Sequence, residues 1–281
     1  EPMLPLGLFR SRSFTGVQLA AFAVSGSLFA LFLYLTLYLQ NYLGYSPLEA
    51  GVRYLPITLL SFFVAPIAGS LLSRVPARVM LSIGLGLTGI GLLLMSGLEA
   101  GSEWTTLLGG FLVGGAGVGL LSPVIADVAL SVVPKERSGM AAGINDTFRQ
   151  VGVAVGIAAW GAVFLGRGAG KVSELAAGTP AASGERPRQL IEAASSGNLD
   201  QVLSTAPPGA RGSIANAAGE GFLAGMNEIL VLGGALALVG SVLAFWLVRE
   251  HEIDREPAEA TESIAAEGES EPAAVPEAAA A

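Results

Sequence analysis

The sequence predicts an all-α membrane protein, a six-helix transmembrane bundle. Three observations carry this. Only 14% of the 281 residues are charged, against about 25% in a soluble domain. Mean hydropathy is +0.62. Six apolar segments each reach the roughly 20 residues a helix needs to cross a hydrocarbon core.

Five spans are expected within 1–166, near 14–41, 48–72, 79–98, 104–132 and 139–165, and a sixth at 222–248 within 221–249. The first and fourth are long enough to require tilt or to project past the lipid. Gly and Pro, 38 and 15 residues, recur inside the spans. They would damage soluble helices but are common in membrane ones, where neighbouring helices satisfy the freed backbone groups. Pro56, Pro66 and Pro123 are expected to permit bends.

The linkers set the orientation. Arg10 and Arg12 precede the first span, Arg74 and Arg78 follow the second, Lys135 and Arg137 follow the fourth, and Arg249 and Arg255 follow the sixth. All fall on one side of a six-pass topology. The positive-inside rule therefore places both ends of the chain in the cytoplasm and makes the protein multi-pass in the cytoplasmic membrane. Tyr42, Tyr45, Trp104 and Trp246 fall near the span boundaries, as an aromatic belt requires.

Residues 167–220 form an Ala-, Gly- and Pro-rich external loop in this topology. Within it, 187–203 can form a short amphipathic helix with Leu190, Ile191, Ala194, Leu199 and Val202 on its apolar side. It serves either as a lid or partner site, or as a plain connector. Residues 250–281 read as an acidic cytoplasmic tail, rich in Glu, Ala and Pro, that cannot bury a core.

Several function classes are excluded. There is no Cys and a single His, His251, so thiolate and multi-histidine metal sites are ruled out. No P-loop and no Ser/His/Asp set is present, so neither ATP-driven transport by this chain nor enzymatic activity is expected, and no cofactor or metal is called for. The net charge of -8 is concentrated in the tail and implies no nucleic-acid partner. The chain starts at Glu1 without Met or signal peptide, which suggests the interior of a longer product.

Ionisable groups inside spans are costly and so become functional candidates. Asp127, in the fourth span, shares a small-residue face with Ala116, Gly119, Pro123 and Ser131. It is either a proton or cation relay, or a carboxylate capping or pairing with Lys135 or Arg137. In the fifth span Asn145, Arg149, Gly152 and Gly156 form one stripe, which directs Arg149 into the bundle with Asp146 three residues away as its partner. That pair is either a conformational gate or a static lock. Glu228 is a further relay candidate in the sixth span. Tyr34 and Tyr38 in the first span, with Gln40 on another face and Gln150 in the fifth, are candidates for a substrate cavity, where stacked rings would hold flat cations. The alternative for the tyrosines is packing or lipid contact. Glu49 and Arg53, at i and i+4, anchor a helix end.

Four stretches then resemble a known family. They are LFRSRSF at 8–14, YLQNYLGYSPLEAG at 38–51, VPKERSGMAAG at 133–143 and NDTFRQVG at 145–152. In order and spacing they resemble the second half of the 14-helix drug:proton antiporters of the major facilitator superfamily, the EmrB/QacA type. The segment GSLLSRVPAR at 69–78 is similar to the family's cytoplasmic loop motif, with Arg74 and Arg78 retained but Ser73 and Pro76 at its usual Asp and Gly positions. The resemblance implies one pseudo-symmetric half of a transporter, with the pathway between this half and an N-terminal half. It implies proton-coupled export of drugs or other amphipathic compounds, with small-molecule substrate, protons, the lipid bilayer and that N-terminal half as partners. The acidic residues best known for antiport lie in the other half and have no counterpart here. A metabolite exporter and a non-transporting membrane scaffold are the competing expectations.

Overall fold

The structure is a computed structural model that describes residues 9–131, 133, 138–177, 181 and 184–249. Lys135, Arg137, His251, Arg255 and the expected acidic tail lie outside the described residues.

Helix α1, Arg12–Tyr42, begins where the Ser11 side chain accepts the Phe14 N–H at 3.1 Å. Two π-helical turns interrupt it, at Ser25–Phe29 and Tyr38–Tyr42. A π turn widens the helix locally and frees a carbonyl from its usual partner. Next come α2, Pro47–Arg53, and α3, Leu55–Leu71, joined at a 41° bend. One helix was expected over 48–72. The break follows from Pro56, which has no N–H for the Val52 carbonyl and whose ring crowds that turn. Pro66 and Pro123, in contrast, sit inside helices that continue past them.

Helices α4, Ala77–Leu94, and α5, Trp104–Ser131, follow. Helix α6, Ser138–Leu175, and helix α9, Arg211–Leu247, are longer than the sequence suggested and run into the expected loop. Small residues allow this. A Cβ on Gly221 would lie 2.8 Å from the Gly168 carbonyl, so the two helices can touch backbone to backbone there. Between them lie α7, Arg186–Ser195, and α8, Leu199–Ser204. The single helix expected over 187–203 is broken by a turn at Gly197, whose φ of 72° favours glycine. Leu190 and Ile191 are buried as the apolar pattern required, whereas Val202 is exposed.

By length and apolarity the described residues hold five spanning helices, and the bent pair α2–α3 makes the sixth. Helix α4 packs most extensively, against α5 and α9; α3 covers α5, and α6 covers α9 and α1. Close approach of α4 and α5 depends on Gly117, where a Cβ would stand 2.7 Å from the Gly84 carbonyl and from Thr88 Oγ1. Large apolar side chains such as Phe62, Phe63, Ile67, Val242 and Trp246 point outward. That outward apolar surface is the arrangement a lipid solvent selects. The chain is a multi-pass membrane protein.

The two ends of the bundle meet in one place. Ser13 Oγ donates to the Arg249 carbonyl at 3.0 Å and accepts the Arg249 N–H at 2.8 Å. Both termini of the described bundle therefore lie at one end, and α7 and α8 cap the other.

Candidate functional site

The contact between α1 and α6 is polar at one end and nearly all backbone in the middle. At its start, Asn145 Nδ2 donates to Gln18 Oε1 at 3.1 Å. Gln18 is fully buried and its Nε2 has no partner among the described residues. About two and three turns further along, Gly152 and Gly156 press on α1 around its first π turn. A Cβ on Gly156 would lie 2.6 Å from the Gly26 carbonyl. That carbonyl, in the π turn, accepts the indole N–H of Trp160 at 2.6 Å. Tyr34 Oη then donates to the Ile157 carbonyl at 2.6 Å. The polar tips of Trp160 and Tyr34 thus donate to backbone carbonyls across this seam, as a water-free interior requires.

Of the predicted stripe, Asn145, Gly152 and Gly156 are buried against α1, and Arg149 is not. Arg149 was expected inside the bundle but is exposed. At 100° per residue it stands about 40° round α6 from Asn145, on the flank of the seam. Its guanidinium lies over the Phe29 ring, 5.9 Å from the centroid. The expected Asp146–Arg149 pair is absent among the described residues, and Asp146 is itself exposed. Arg149 turns across to α1, whereas Asp146 follows the helix surface away from it.

Asn145 and Arg149 line a cleft of about 50 Å³ between α1, α5 and α6. Phe29, Val24, Ile125 and Ala126 form its apolar sides. Asp127 is the next residue after Ala126, half-buried, on a face through Ala116, Gly119 and Pro123 that is itself buried or half-buried.

The other candidates scatter. Tyr34 and Tyr38 are buried, which corrects the cavity expectation for them. Tyr34 packs on Phe164; Tyr38, Tyr42 and Phe222 form a stacked column with centroid spacings of 5.4 and 5.3 Å. Tyr38 Oη donates to the Ser102 carbonyl at 3.1 Å, so its hydroxyl is engaged within the bundle along with its buried ring. Gln40 is half-buried and Gln150 exposed, on different helices and away from each other's contacts. Glu228 pairs with Arg167 at 3.8 Å. Arg74 is exposed, and Arg78 lies 5.5 Å from the Phe245 centroid. The Ser46–Glu49 capping box holds the start of α2, and Arg53 donates to the Glu49 backbone carbonyl while resting on Tyr45.

Sequence reasoning missed Gln18, Trp160 and Asn227. Asn227 accepts from the Gly97 and Leu98 N–H groups and donates to the Leu98 carbonyl, tying α9 to the α4–α5 turn. Gln18 and Trp160 are lone polar groups in apolar runs, and Asn227 stands beside Glu228; that was the available signal.

A second, larger cavity of about 620 Å³ opens at the capped end, with Tyr42, Asp200 and Glu220 among its lining residues.

The profile described as Major Facilitator Superfamily matches residues 1–157. This chain belongs to the Major Facilitator Superfamily. Among its curated relatives, the tetracenomycin C resistance and export protein of Streptomyces glaucescens is 32% identical over 265 residues, 92% of this chain and 48% of that protein. The multidrug resistance protein Stp of Mycobacterium tuberculosis is 36% identical over 163 residues, covering 58% of this chain and 30% of that one. The multidrug efflux pump LfrA of Mycolicibacterium smegmatis is 26% identical over 242 residues, 86% and 47%. The chain thus spans half or less of the length of these relatives. For a major facilitator protein the cleft of α1, α5 and α6 is of direct interest, because it puts a cation within an apolar span.

Proposed function

We propose that this chain is the C-terminal half of a 14-helix secondary active transporter, which exports drugs or other amphipathic compounds in exchange for protons and is not an enzyme. The observation that carries this is the family membership of a six-span bundle whose named relatives are resistance and export proteins. The extent of the matches supports the reading as a half. In this reading both termini face the cytoplasm, α7 and α8 cap the external side, and the pathway lies between this bundle and an N-terminal one. Asp127, beside the cleft that Asn145 and Arg149 line, is the relay candidate best situated for proton exchange, since it is a half-buried carboxylate within a span. Glu228 and Asp146 are weaker candidates: the first is neutralised by Arg167 and the second is exposed.

Efflux by the full-length protein in everted membrane vesicles tests the reading. Export should collapse when an uncoupler dissipates the proton gradient, and Asp127→Asn should flatten its pH dependence. Export that survives the uncoupler would exclude proton coupling. A pH profile unchanged in Asp127→Asn would remove that residue from the mechanism.

A further inference from the structure

We infer that the α1–α5–α6 cleft is a subsite for an acidic oxygen, so that the compounds this wall selects are amphipathic aromatics bearing a phenolate or carboxylate. The inference rests on the export reading above and deepens it.

The first ground is the charge of the cleft. Arg149 stands about 17 Å along α6 from Ser138, exposed at the flank of the seam. It forms no ion pair among the described residues; its one close partner is the Phe29 ring. A guanidinium stays protonated and carries five donors and no acceptor. A charge set against an apolar wall without a counter-ion has a field that is only partly screened. An anion is therefore attracted here, and a cation is repelled.

The second ground is the amide pair behind it. Asn145 lines the cleft, and buried Gln18 fixes one of its N–H groups. Gln18 itself is fully buried, and its Nε2 has no hydrogen-bond partner among the described residues. No carboxylate lines the cleft among the described residues. Asp127 follows Ala126 but does not itself line the cleft, so Arg149 is the charged member of that lining.

The third ground is size. A cleft of about 50 Å³ has room for a few waters, and thus for a carboxylate or phenolate group rather than a whole drug. Phe29, Val24 and Ile125 supply the apolar rim along which the rest of the molecule would lie. Arg149 would then be a specificity-determining residue: its charge-assisted hydrogen bond picks the acidic oxygen, while the rim accepts many ring systems.

The test measures initial rates of uptake into everted vesicles carrying the full-length protein, with fluorescein as a planar aromatic anion and ethidium as a planar cation. The readout is the fluorescein-to-ethidium ratio. Arg149→Gln should lower it about tenfold or more, the scale of a lost hydrogen bond to a charged group. Arg149→Lys, which keeps the charge, should retain most of the wild-type ratio. Glu192→Gln, an exposed change on α7, should leave it unaltered. A smaller fall in Arg149→Gln overturns the inference, and so does an equal fall in Arg149→Lys, which would mean that packing and not charge was being read. A wild-type protein that moves ethidium and not fluorescein overturns the subsite but leaves export standing. One that moves neither dye overturns the export reading, and this inference with it.

Discussion

Trp160 shows how single residues hold a water-free seam. Its indole N–H donates to the Gly26 carbonyl in the first π turn. Trp160→Phe keeps most of the packing and removes that hydrogen bond. The expected cost is about 1–2 kcal/mol, read as a lower melting temperature in detergent by fluorescence of Trp104 and Trp246, the two tryptophans that remain. An unchanged melting temperature would mean the carbonyl finds another donor. Asn145 was legible in the sequence because it begins a stripe with two glycines. Gln18 and Trp160 were not. A helix that is apolar all round has no solvent-facing side, so periodicity does not say which way a lone polar side chain points. The same ambiguity misled the reading of Tyr34 and Tyr38, whose rings pack within the bundle instead of lining a cavity.

Among elements, α1 and α6 are the pair whose geometry depends most on what is missing from their side chains. Gly156→Ala would put a Cβ 2.6 Å from both the Gly26 carbonyl and the Ala30 Cβ. Neither neighbour is the tip of a flexible chain, so the helices must part. Overpacking of this kind costs about 1–3 kcal/mol. The variant should melt lower, and should also loosen the Trp160 contact, seen as a red shift in its emission. A variant as stable as the parent would show that the seam has slack. The bend between α2 and α3 was legible from Pro56, because the missing N–H is a local fact. The extension of α6 and α9 past the expected spans was not. Their outer turns are held by Gly168 meeting Gly221 and by Ile191 from α7, contacts between residues far apart in the chain.

For the whole molecule, the Ser13–Arg249 hydrogen bonds put both ends of the bundle together, but they do not say on which side of the membrane. The absence of cysteine permits a direct test. Ser196→Cys, at the exposed end of α7, should react with a membrane-impermeant maleimide added to intact cells. Arg12→Cys, exposed at the opposite end, should react only after permeabilisation. The reverse pattern would invert the proposed topology.

The sequence by itself determined that this is a multi-pass helical membrane protein, because desolvating a backbone in lipid leaves helices as the form a long apolar run can take, and run length counts them. Arginine placement set an expected direction by the same local logic. The tertiary structure alone decided which faces meet: that Asn145 clasps Gln18, that Arg149 lies outside the seam over Phe29, and that the tyrosines are core. In lipid the outside of a helix is as apolar as its packed side, so the choice of face is made by shape, by which glycines let which backbones touch, and that is a property of pairs of helices rather than of any one stretch of sequence.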